Sequence, residues 1–206
     1  MHPEILSSEQ RDLLPLIKLF RREFYLVGGT AIALQIGHRK SIDFDLFKAT
    51  PFISRRILDK ISAGKYRYVV TRRVSEQLNL TILNVKITFF EYPYSIETSV
   101  DFDKIICMPD LLSLAAMKAF ALGKRSKWKD YVDLYFLLRD FFSLEMIIQK
   151  AETIFEQEFS EKLFRSQLVY YADIEHSEAV EFLPGFEIGE EEVKNFLTEQ
   201  ALSRIM

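Results

Sequence analysis

The stretch from residue 25 to residue 47, YLVGGTAIALQIGHRKSIDFDLF, constrains the fold of this chain more than any other. It predicts a strand, a Gly-Gly-Thr turn, a short helix, a basic loop and a second strand. That second strand carries Asp43 and Asp45, and side chains i and i+2 of a strand point to the same face. Two neighbouring carboxylates repel each other unless a cation lies between them, and Mg²⁺ is the usual cation. The pattern therefore predicts a metal-binding pair.

A phosphate-binding turn is predicted just upstream of this pair. Gly28, Gly29 and Thr30 lie at the end of the first strand and the start of the helix. Backbone N–H groups and the helix dipole receive phosphate oxygens at such positions, and we expect the Thr30 hydroxyl to cap the helix. Arg39 and Lys40, on the loop before the second strand, could meet a phosphate or face solvent. A double glycine is also a common plain turn, so the aspartates that follow give it its weight.

Composition places the chain among ordinary globular proteins. Of its 206 residues, 49% are hydrophobic and 28% are charged, which allows one or two small domains with a buried core. No apolar run approaches the ~20 residues that span a bilayer, and MHPEILSSEQRD lacks a signal-peptide pattern. The single cysteine, Cys107, cannot form an internal disulfide and is expected in the core. We expect a cytoplasmic protein without membrane contact.

Charge is unevenly distributed along the chain. Residues 1–139 hold 22 Lys/Arg and 15 Asp/Glu, a balance of +7, whereas residues 140–206 hold 5 and 15, a balance of −10, which together give the net −3. A basic front suits an anionic ligand, and its basic residues, among them the loop KRSKWK at 124–129, could guide RNA. Two solvated faces that attract each other would give the same asymmetry, so the pattern favours RNA only weakly.

The fold class predicted from the pattern of elements is α+β, with a mixed α/β part at 1–104 and a helical part at 105–206. The predicted helices are 7–23 (with a kink or late start at Pro15), 30–36, 52–63, 111–122, 128–140, 143–157, 160–172 and 190–205. The predicted strands are 24–27, 42–47, 66–74, 77–83 and 85–92. Gly37 and Gly123 are expected to end helices, and Leu83-Asn84 to make a tight turn.

Three charged residues of the helical part are candidates for chemistry. Lys118 lies on an otherwise apolar helical stripe, which is costly unless its ammonium reaches an anion or extends to the surface. Asp130 and Asp133 are three residues apart on the next helix and share a face. Asp130 also suits a plain role at a helix N-terminus, whereas Asp133 is crowded by apolar neighbours.

These segments carry a family resemblance. GGTAIAL, RKSIDFDLF and MPDLLSLAAMKAFALGKRSKWKDYVDLYFLL resemble the motifs of the AbiEii/AbiGii toxin nucleotidyltransferases, in the DNA polymerase β-like superfamily. The resemblance covers roughly residues 7–150. It implies a minimal nucleotidyltransferase fold, a mixed sheet flanked by helices, followed by a C-terminal helical bundle. It also implies Mg²⁺-dependent nucleotide transfer from a triphosphate, a toxin neutralised by a separate antitoxin, and transfer RNA as the acceptor.

The resemblance also implies roles for individual residues. By motif, Asp43 and Asp45 would hold Mg²⁺. The residues that would contact the triphosphate are Gly28, Gly29, Thr30, Arg39 and Lys118. Asp130 would lie at the catalytic centre, with Asp133 as the second acid there.

One departure from the superfamily pattern weakens the catalytic interpretation. Many members have a third carboxylate on a later strand, but the alternation of VKITFFE places Lys86 and Thr88 at those positions, and Glu91 on the apolar side unless a bulge rotates it. Asp101 and Asp103 repeat the Asp-x-Asp spacing and are interpreted as surface acids. Two alternatives therefore stay open: a catalytically weakened protein that binds a nucleotide or a partner, and a small-molecule transferase of the antibiotic-modifying type.

Overall fold

The chain divides into two compact units, Met1–Asp110 and Leu111–Met206. This computed structural model describes residues 1–122 and 124–203. Gly123, expected to close a helix, and positions 204–205, expected to be helical, lie outside the described residues. The sequence-based boundary at residue 104 falls a few residues before the division, which follows a short hairpin.

The first unit contains three α-helices and seven strands within its described residues. The helices are α1 Ser8–Lys18, α2 Gly28–Ile36 and α3 Ser54–Ala63. The strands are β1 Tyr25–Val27, β2 Asp43–Lys48, β3 Val69–Arg73, β4 Gln77–Ile82, β5 Val85–Glu91, β6 Val100–Phe102 and β7 Ile106–Met108. The mixed α/β class predicted from the sequence is confirmed.

Five strands form one mixed sheet in the order β1-β2-β5-β4-β3. The central pair, β2 and β5, is parallel, and the other neighbours are antiparallel. The predicted tight turn between β4 and β5 is confirmed, because Leu83 and Asn84 have φ of 49° and 64°, as a two-residue hairpin turn requires. The antiparallel hairpin of β6 and β7 was not predicted.

Helix α1 begins with a capping box. The Ser7 hydroxyl accepts a hydrogen bond from the Gln10 backbone N–H, and the Gln10 side chain accepts one from the Ser7 N–H. The helix tolerates Pro15 in its last turns but ends at Lys18, so the prediction of a helix reaching residue 23 was wrong. Its apolar face buries Leu13 and Ile17 completely.

The core of the first unit lies on one face of the sheet. Phe44 and Leu46 of β2 point to it, together with Phe89 of β5, and all three are essentially inaccessible. The ring of Phe89 packs edge-on against Phe20 at 4.8 Å and Phe24 at 5.2 Å between centroids. Each such aromatic contributes about 1.5–3 kcal/mol through removal from water, so this cluster fixes β2 and β5 beneath the segment that follows α1.

The second unit is helical throughout its described elements. Its α-helices are α4 Leu111–Leu122, α5 Trp128–Asp140, α6 Leu144–Phe155, α7 Glu161–Leu168 and α8 Glu190–Leu202. Serine side chains cap α6 and α7, at Ser143 and Ser160. Helix α4 packs on α6, and α8 packs on α5 and α7. The predicted helix at 160–172 was too long, since α7 ends at Leu168. None of the helices in the described part of the chain has the length and apolar character needed to traverse a bilayer.

Candidate active site

The two aspartates of β2 share one face, as predicted. Burial alternates along the strand, with Asp43 and Asp45 partly exposed and Phe44 and Leu46 buried. Because β1 pairs with β2 so that Val27 lies opposite Asp45, the chain leaves β1 and enters α2 directly beside the aspartate pair. The hydrophobic anchoring of Phe44 and Leu46 therefore orients both carboxylates away from the core.

Gly28 brings the backbone into contact with Asp45. Its φ is +72°, and a β-carbon at this position would lie 2.4 Å from Asp45 Oδ2 and 3.3 Å from Cγ. No side chain could occupy that space without displacing the carboxylate, and an L-residue would also resist the backbone angle. The glycine turn and the aspartate pair thus form one continuous surface.

Gly29 makes an equally close approach to Arg39. A β-carbon there would lie 2.4 Å from Arg39 Nη2 and 3.4 Å from Ser41 Oγ. Arg39 is 3% exposed, and its Nη1 donates to the Lys40 carbonyl oxygen at 2.9 Å. Of the two alternatives left open for this arginine, the solvent-facing one is wrong, whereas Lys40 is exposed. A buried cation therefore lies against the predicted phosphate turn.

Thr30 connects the helix to the aspartate strand and does not cap the helix. The N-cap of α2 is Val27, with no side-chain hydrogen bond, so the predicted capping by Thr30 was wrong. The buried Thr30 hydroxyl lies 2.8 Å from Ser41 Oγ and donates to the Asp43 carbonyl oxygen. That carbonyl also accepts from Gln10 Nε2 at 3.5 Å. Sequence reasoning missed Gln10 and Ser41; only the capping-box spelling made Gln10 conspicuous.

The register of β5 confirms that Lys86 and Thr88 lie on the sheet face of the aspartate pair. Lys86 lies opposite Asp43 and Thr88 opposite Asp45, and paired residues of neighbouring strands project from the same face. Glu91 lies opposite Lys48, on the other parity, and the β2–β5 register runs without a shift. The β5 positions beside the aspartates are therefore a lysine and a threonine.

The aspartate pair fits a Mg²⁺ ion that is completed by substrate. Within the described residues, no cluster of three or more His, Cys, Asp or Glu side chains could hold a metal. Mg²⁺ is usually bound by one or two carboxylates together with phosphate oxygens and water. Asp43 and Asp45 would supply the carboxylates of such a donor set, and the glycine turn lies beside them.

In the second unit, Lys118 lies between two buried carboxylates. Its Nζ is 2.7 Å from Asp130 Oδ1 and 2.9 Å from Asp133 Oδ2, and all three side chains are at most 4% exposed. The sequence predicted that this lysine needs an anion, and α5 provides two. Its predicted triphosphate contact stays a prediction.

Arg125 completes the charge balance of this cluster. Its Nε donates to Asp130 Oδ2 at 3.0 Å, while half of its side chain stays exposed. Burial alone would raise the pKa of Asp130, but the charges of Lys118 and Arg125 hold the pKa of that carboxyl below its usual range. Two cations thus face two anions, and the role of Arg125 could not be read from its place in a basic loop.

The basic loop is engaged within its own unit. Lys127 Nζ lies 2.8 Å from Glu178, which also pairs with Lys129, and Lys124 Nζ lies 3.9 Å from the centroid of Phe120. Burial acts to raise the pKa of Glu178, but hydrogen bonds from both lysines lower it to about 2. Attraction between the basic front and the acidic tail, the plainer of the two interpretations, therefore holds at this loop.

Asp101 and Asp103 are surface acids, as predicted. Both are exposed. Asp101 pairs with Arg21 and accepts the Lys104 backbone N–H at 2.6 Å, which stabilises the β6–β7 turn. The same Asp-Phe-Asp spelling thus occurs in two different settings in one chain, which makes the second copy a matched control for the first.

Fold and site together define a nucleotidyltransferase, and comparison with known proteins agrees. The family model described as "Nucleotidyl transferase AbiEii toxin, Type IV TA system" matches residues 16–201, so the chain belongs to this family. An uncharacterised protein of Aquifex aeolicus (strain VF5), aq_aa25, is 33% identical over 208 residues, covering 94% of this chain and 97% of that protein. The resemblance inferred from the motifs is confirmed.

Two solved structures share the fold. JHP933 from Helicobacter pylori superposes with a TM-score of 0.58 at 15% identity, covering 95% of this chain and 91% of that one. MenT4, a nucleotidyltransferase toxin from Mycobacterium tuberculosis H37Rv, has a TM-score of 0.58 at 12% identity, covering 95% and 85%. At these identities the likeness concerns the fold alone.

Proposed function

We propose that this nucleotidyltransferase uses Mg²⁺ to transfer a nucleotide from a triphosphate to an RNA acceptor, with transfer RNA favoured, and that a cognate antitoxin restrains it. The observation that carries the proposal is the contact of the Gly28 backbone with the Asp45 carboxylate. A turn open to phosphates and a pair of carboxylates on one strand face are what an enzyme needs to hold a triphosphate at its α-phosphate.

Each candidate site residue of the first unit has a role in this proposal. Asp43 and Asp45 hold Mg²⁺, which neutralises phosphate charge and the departing pyrophosphate when it is bound. The backbone N–H groups of Gly28 and Gly29 donate hydrogen bonds to phosphate oxygens. The positive charge of buried Arg39, which lies against Gly29, attracts the same phosphates. Thr30 fixes the start of β2 through the Asp43 carbonyl.

The candidate residues of the second unit are proposed mainly to position one another. The pairing of Lys118 with Asp130 and Asp133 supports a positioning role, in which the ammonium and the two carboxylates hold each other. Arg125, half exposed and bonded to Asp130, is the cation of this cluster that reaches solvent and could approach phosphate. We retain Asp130 as the acid proposed for the catalytic centre.

A catalytically weakened protein that binds a nucleotide or a partner is the second candidate. It is favoured by Lys86 and Thr88, because neither is a carboxylate able to accept the proton of an acceptor hydroxyl. A small-molecule acceptor of the antibiotic type is the third, and it differs from the first only in what supplies the hydroxyl.

The test is transfer of label from each of the four radiolabelled triphosphates, with Mg²⁺, in the presence of total transfer RNA, of an aminoglycoside, or of neither. We expect labelled RNA with the native chain, loss on chelation of the metal, and a decrease of about 100-fold or more in Asp43→Asn. Asp103→Asn, in the repeated Asp-Phe-Asp, should transfer like the native chain. Nucleotide binding without transfer would establish the weakened protein instead, and transfer to an aminoglycoside but not to RNA would establish the small-molecule enzyme.

A further inference from the structure

The sheet face that carries the aspartate pair continues beyond β2 to the edge of the sheet. Residues paired on neighbouring strands project from the same face, so the register traces this face across β5, β4 and β3. At about 4.8 Å between strands, it extends about 14 Å from the aspartates. The residues of this face beyond β2, which we call the outer face, are Lys86, Thr88, Thr81, Asn79, Val69 and Arg72.

The outer face is basic. Lys86 and Arg72 are both exposed, and within the described part of the chain neither forms an ion pair. Strands β3, β4 and β5 contain one acid, Glu91, which lies on the opposite parity. In the turn between β3 and β4, the pKa of Glu76 is lowered mainly by a hydrogen bond from Ser75, and the charge of Arg72 adds a smaller effect. The outer face therefore attracts anions.

The position of Lys86 favours contact with a substrate anion. It lies opposite Asp43 on the neighbouring strand, but in the described structure its ammonium forms no ion pair with that carboxylate. An ammonium and a divalent cation held by Asp43 and Asp45 repel each other unless an anion lies between them. A ligand that reaches the aspartate pair from this side is therefore favoured if it carries a phosphate.

The direction of attack places the acceptor over the outer face. Gly28, which follows β1, contacts Asp45, so under the proposed function the pyrophosphate leaves on the β1 side of β2. Attacking and leaving oxygens lie roughly in line in phosphoryl transfer. The acceptor hydroxyl then approaches from the other side of β2, where β5 and Lys86 lie.

The transfer step on this geometry is a single displacement. The hydroxyl oxygen of the acceptor bonds to the α-phosphorus, and the bond from that phosphorus to the α–β bridging oxygen breaks. Pyrophosphate leaves with the electron pair of that bond, and the hydroxyl proton passes to water, because Lys86 and Thr88 stand where a carboxylate would accept it.

We infer that the hydroxyl-bearing end of a single-stranded RNA lies across the outer face, with one backbone phosphate on Lys86 and another on Arg72. Between these cations, Asn79 and Thr81 are partly exposed and offer an amide and a hydroxyl to bases or riboses. A polycationic aminoglycoside would meet Lys86 and Arg72 with like charge. The inference rests on the proposed function, because it takes the pyrophosphate to leave beside the glycine turn.

The experiment measures the affinity of an RNA hexamer, labelled at its 5′ end, over a series of salt concentrations without Mg²⁺ or triphosphate. Lys86→Met should reduce the slope of log affinity against log salt by about 0.7, the value for one phosphate of a single strand. It should also weaken binding about 10-fold at low salt. Arg72→Gln should reduce the slope equally, whereas Lys86→Arg, which keeps the charge, should keep the slope.

Lys48→Met is the matched control. Lys48 belongs to the same sheet but has the parity of Phe44 and Leu46, so it lies on the opposite face from Asp43. At about 3.3 Å per residue, it lies about 16 Å along β2 from that aspartate. Its replacement removes the same charge and should leave the salt slope of RNA binding unchanged.

A second measurement separates the acceptor from the triphosphate. The ligand is a triphosphate analogue whose α–β bond cannot be cleaved, and its affinity is measured by calorimetry with Mg²⁺. Lys86→Met should change this affinity little, because the triphosphate lies against the glycine turn on the β1 side. A loss for the analogue with unchanged RNA binding would make Lys86 a triphosphate ligand and overturn the inference.

Three other results would overturn it. They are equal salt slopes in Lys86→Met and Lys48→Met, an aminoglycoside that binds more tightly than the RNA, and an acidic peptide of equal net charge that binds as tightly as the RNA. Transfer to RNA with an unchanged slope in Lys86→Met would contradict this inference alone. A native chain that binds RNA as expected but transfers no nucleotide would contradict the proposed reaction alone.

Discussion

Gly28 and Asp45 are in close contact, because a β-carbon at Gly28 would lie 2.4 Å from Asp45 Oδ2. The contact places the residue that follows β1 against the face of β2, so the glycine turn and the aspartate pair lie side by side. Residue 28 must be glycine for two reasons: its φ is +72°, and there is no room for a side chain.

Gly28→Ala is therefore expected to displace Asp45 and to lower nucleotide transfer by about 100-fold, since a shift near 1 Å in a catalytic group has that effect. Gly185→Ala is the matched control, because Gly185 also has a positive φ, of +90°, but nothing lies within 4 Å of its β-carbon position. Both variants bear the strain of the backbone angle, about 1–2 kcal/mol, and only the first should lose activity at full occupancy. Equal losses would assign the effect to the backbone angle alone.

Thr30→Val tests the connection between α2 and β2. The variant keeps the shape of the side chain but removes the hydrogen bond from the Thr30 hydroxyl to the Asp43 carbonyl, which also accepts from Gln10 Nε2 at 3.5 Å. We expect the free energy of unfolding to fall by about 1–3 kcal/mol, measured by urea denaturation. Thr153→Val on α6 is the control, because the exposed Thr153 hydroxyl only donates to a carbonyl of its own helix, and its change should stay within about 0.5 kcal/mol. Similar changes in both would deny the Thr30 hydroxyl any special role.

The sequence was sufficient to predict the sheet strands and the aspartate face, because one buried face enforces alternation along β2, β4 and the first residues of β5. It did not reveal the β6–β7 hairpin. Its strands have three residues each, and its turn uses Asp103 and Lys104 at φ of 47° and 55° without the glycine that marks such turns.

The close approach of Arg39 to Gly29 could not be predicted from the sequence either. The space that buries Arg39 exists because Gly29 has no side chain, and no local pattern announces that relationship. Lys118 showed a need for an anion, but its pairing with Asp130 and Asp133 depends on how α4 packs against α5, which only the tertiary structure specifies.

Lys118→Met should be strongly destabilising. It leaves Asp130 and Asp133 buried, with Arg125 as the remaining cation, and removal of one partner from a buried pair costs about 3–5 kcal/mol. Lys150→Met on α6 is the control, since Lys150 forms no ion pair in the described part of the chain, and it should change stability little. Triphosphate affinity is measured on the folded fraction of each variant. Unchanged stability with lost affinity would make Lys118 a phosphate ligand and reject the positioning role.

The ionisation of Glu178 should make the free energy of unfolding depend on pH. Its folded pKa of about 2 lies below the ordinary 4.5, so the ionised carboxylate stabilises the fold at pH values above about 4.5, and this contribution is lost as the pH falls toward 2. Glu178→Gln should be less stable than the native chain near neutral pH, and the difference should shrink through that window. Urea midpoints at several pH values measure it, with exposed Glu152→Gln as the control. A difference that persists at the acid end would show that packing of the side chain, and not its charge, is responsible.

The last prediction concerns which basic surface of the protein binds RNA. All five residues of the edge strand β3 are exposed, including Arg72 and Arg73, whereas Lys127 and Lys129 of the basic loop are already paired with Glu178. Each phosphate that a cation neutralises contributes roughly 0.7–0.9 to the slope of log affinity against log salt. Replacing Arg72 and Arg73 by glutamine should therefore reduce the slope for transfer RNA by about 1.4–1.8.

The matched control replaces Lys127 and Lys129 by glutamine, which removes the same charge from residues that Glu178 already compensates, and it should leave the slope nearly unchanged. Triphosphate binding at Asp43 and Asp45 should be the same in both variants, because neither contributes to the glycine turn. If instead the loop variant flattens the slope and the β3 variant does not, RNA must displace Glu178 from the two lysines, and the acidic tail then competes with the acceptor for the loop. A binding constant independent of salt in the native chain would exclude a phosphate-tracking acceptor altogether.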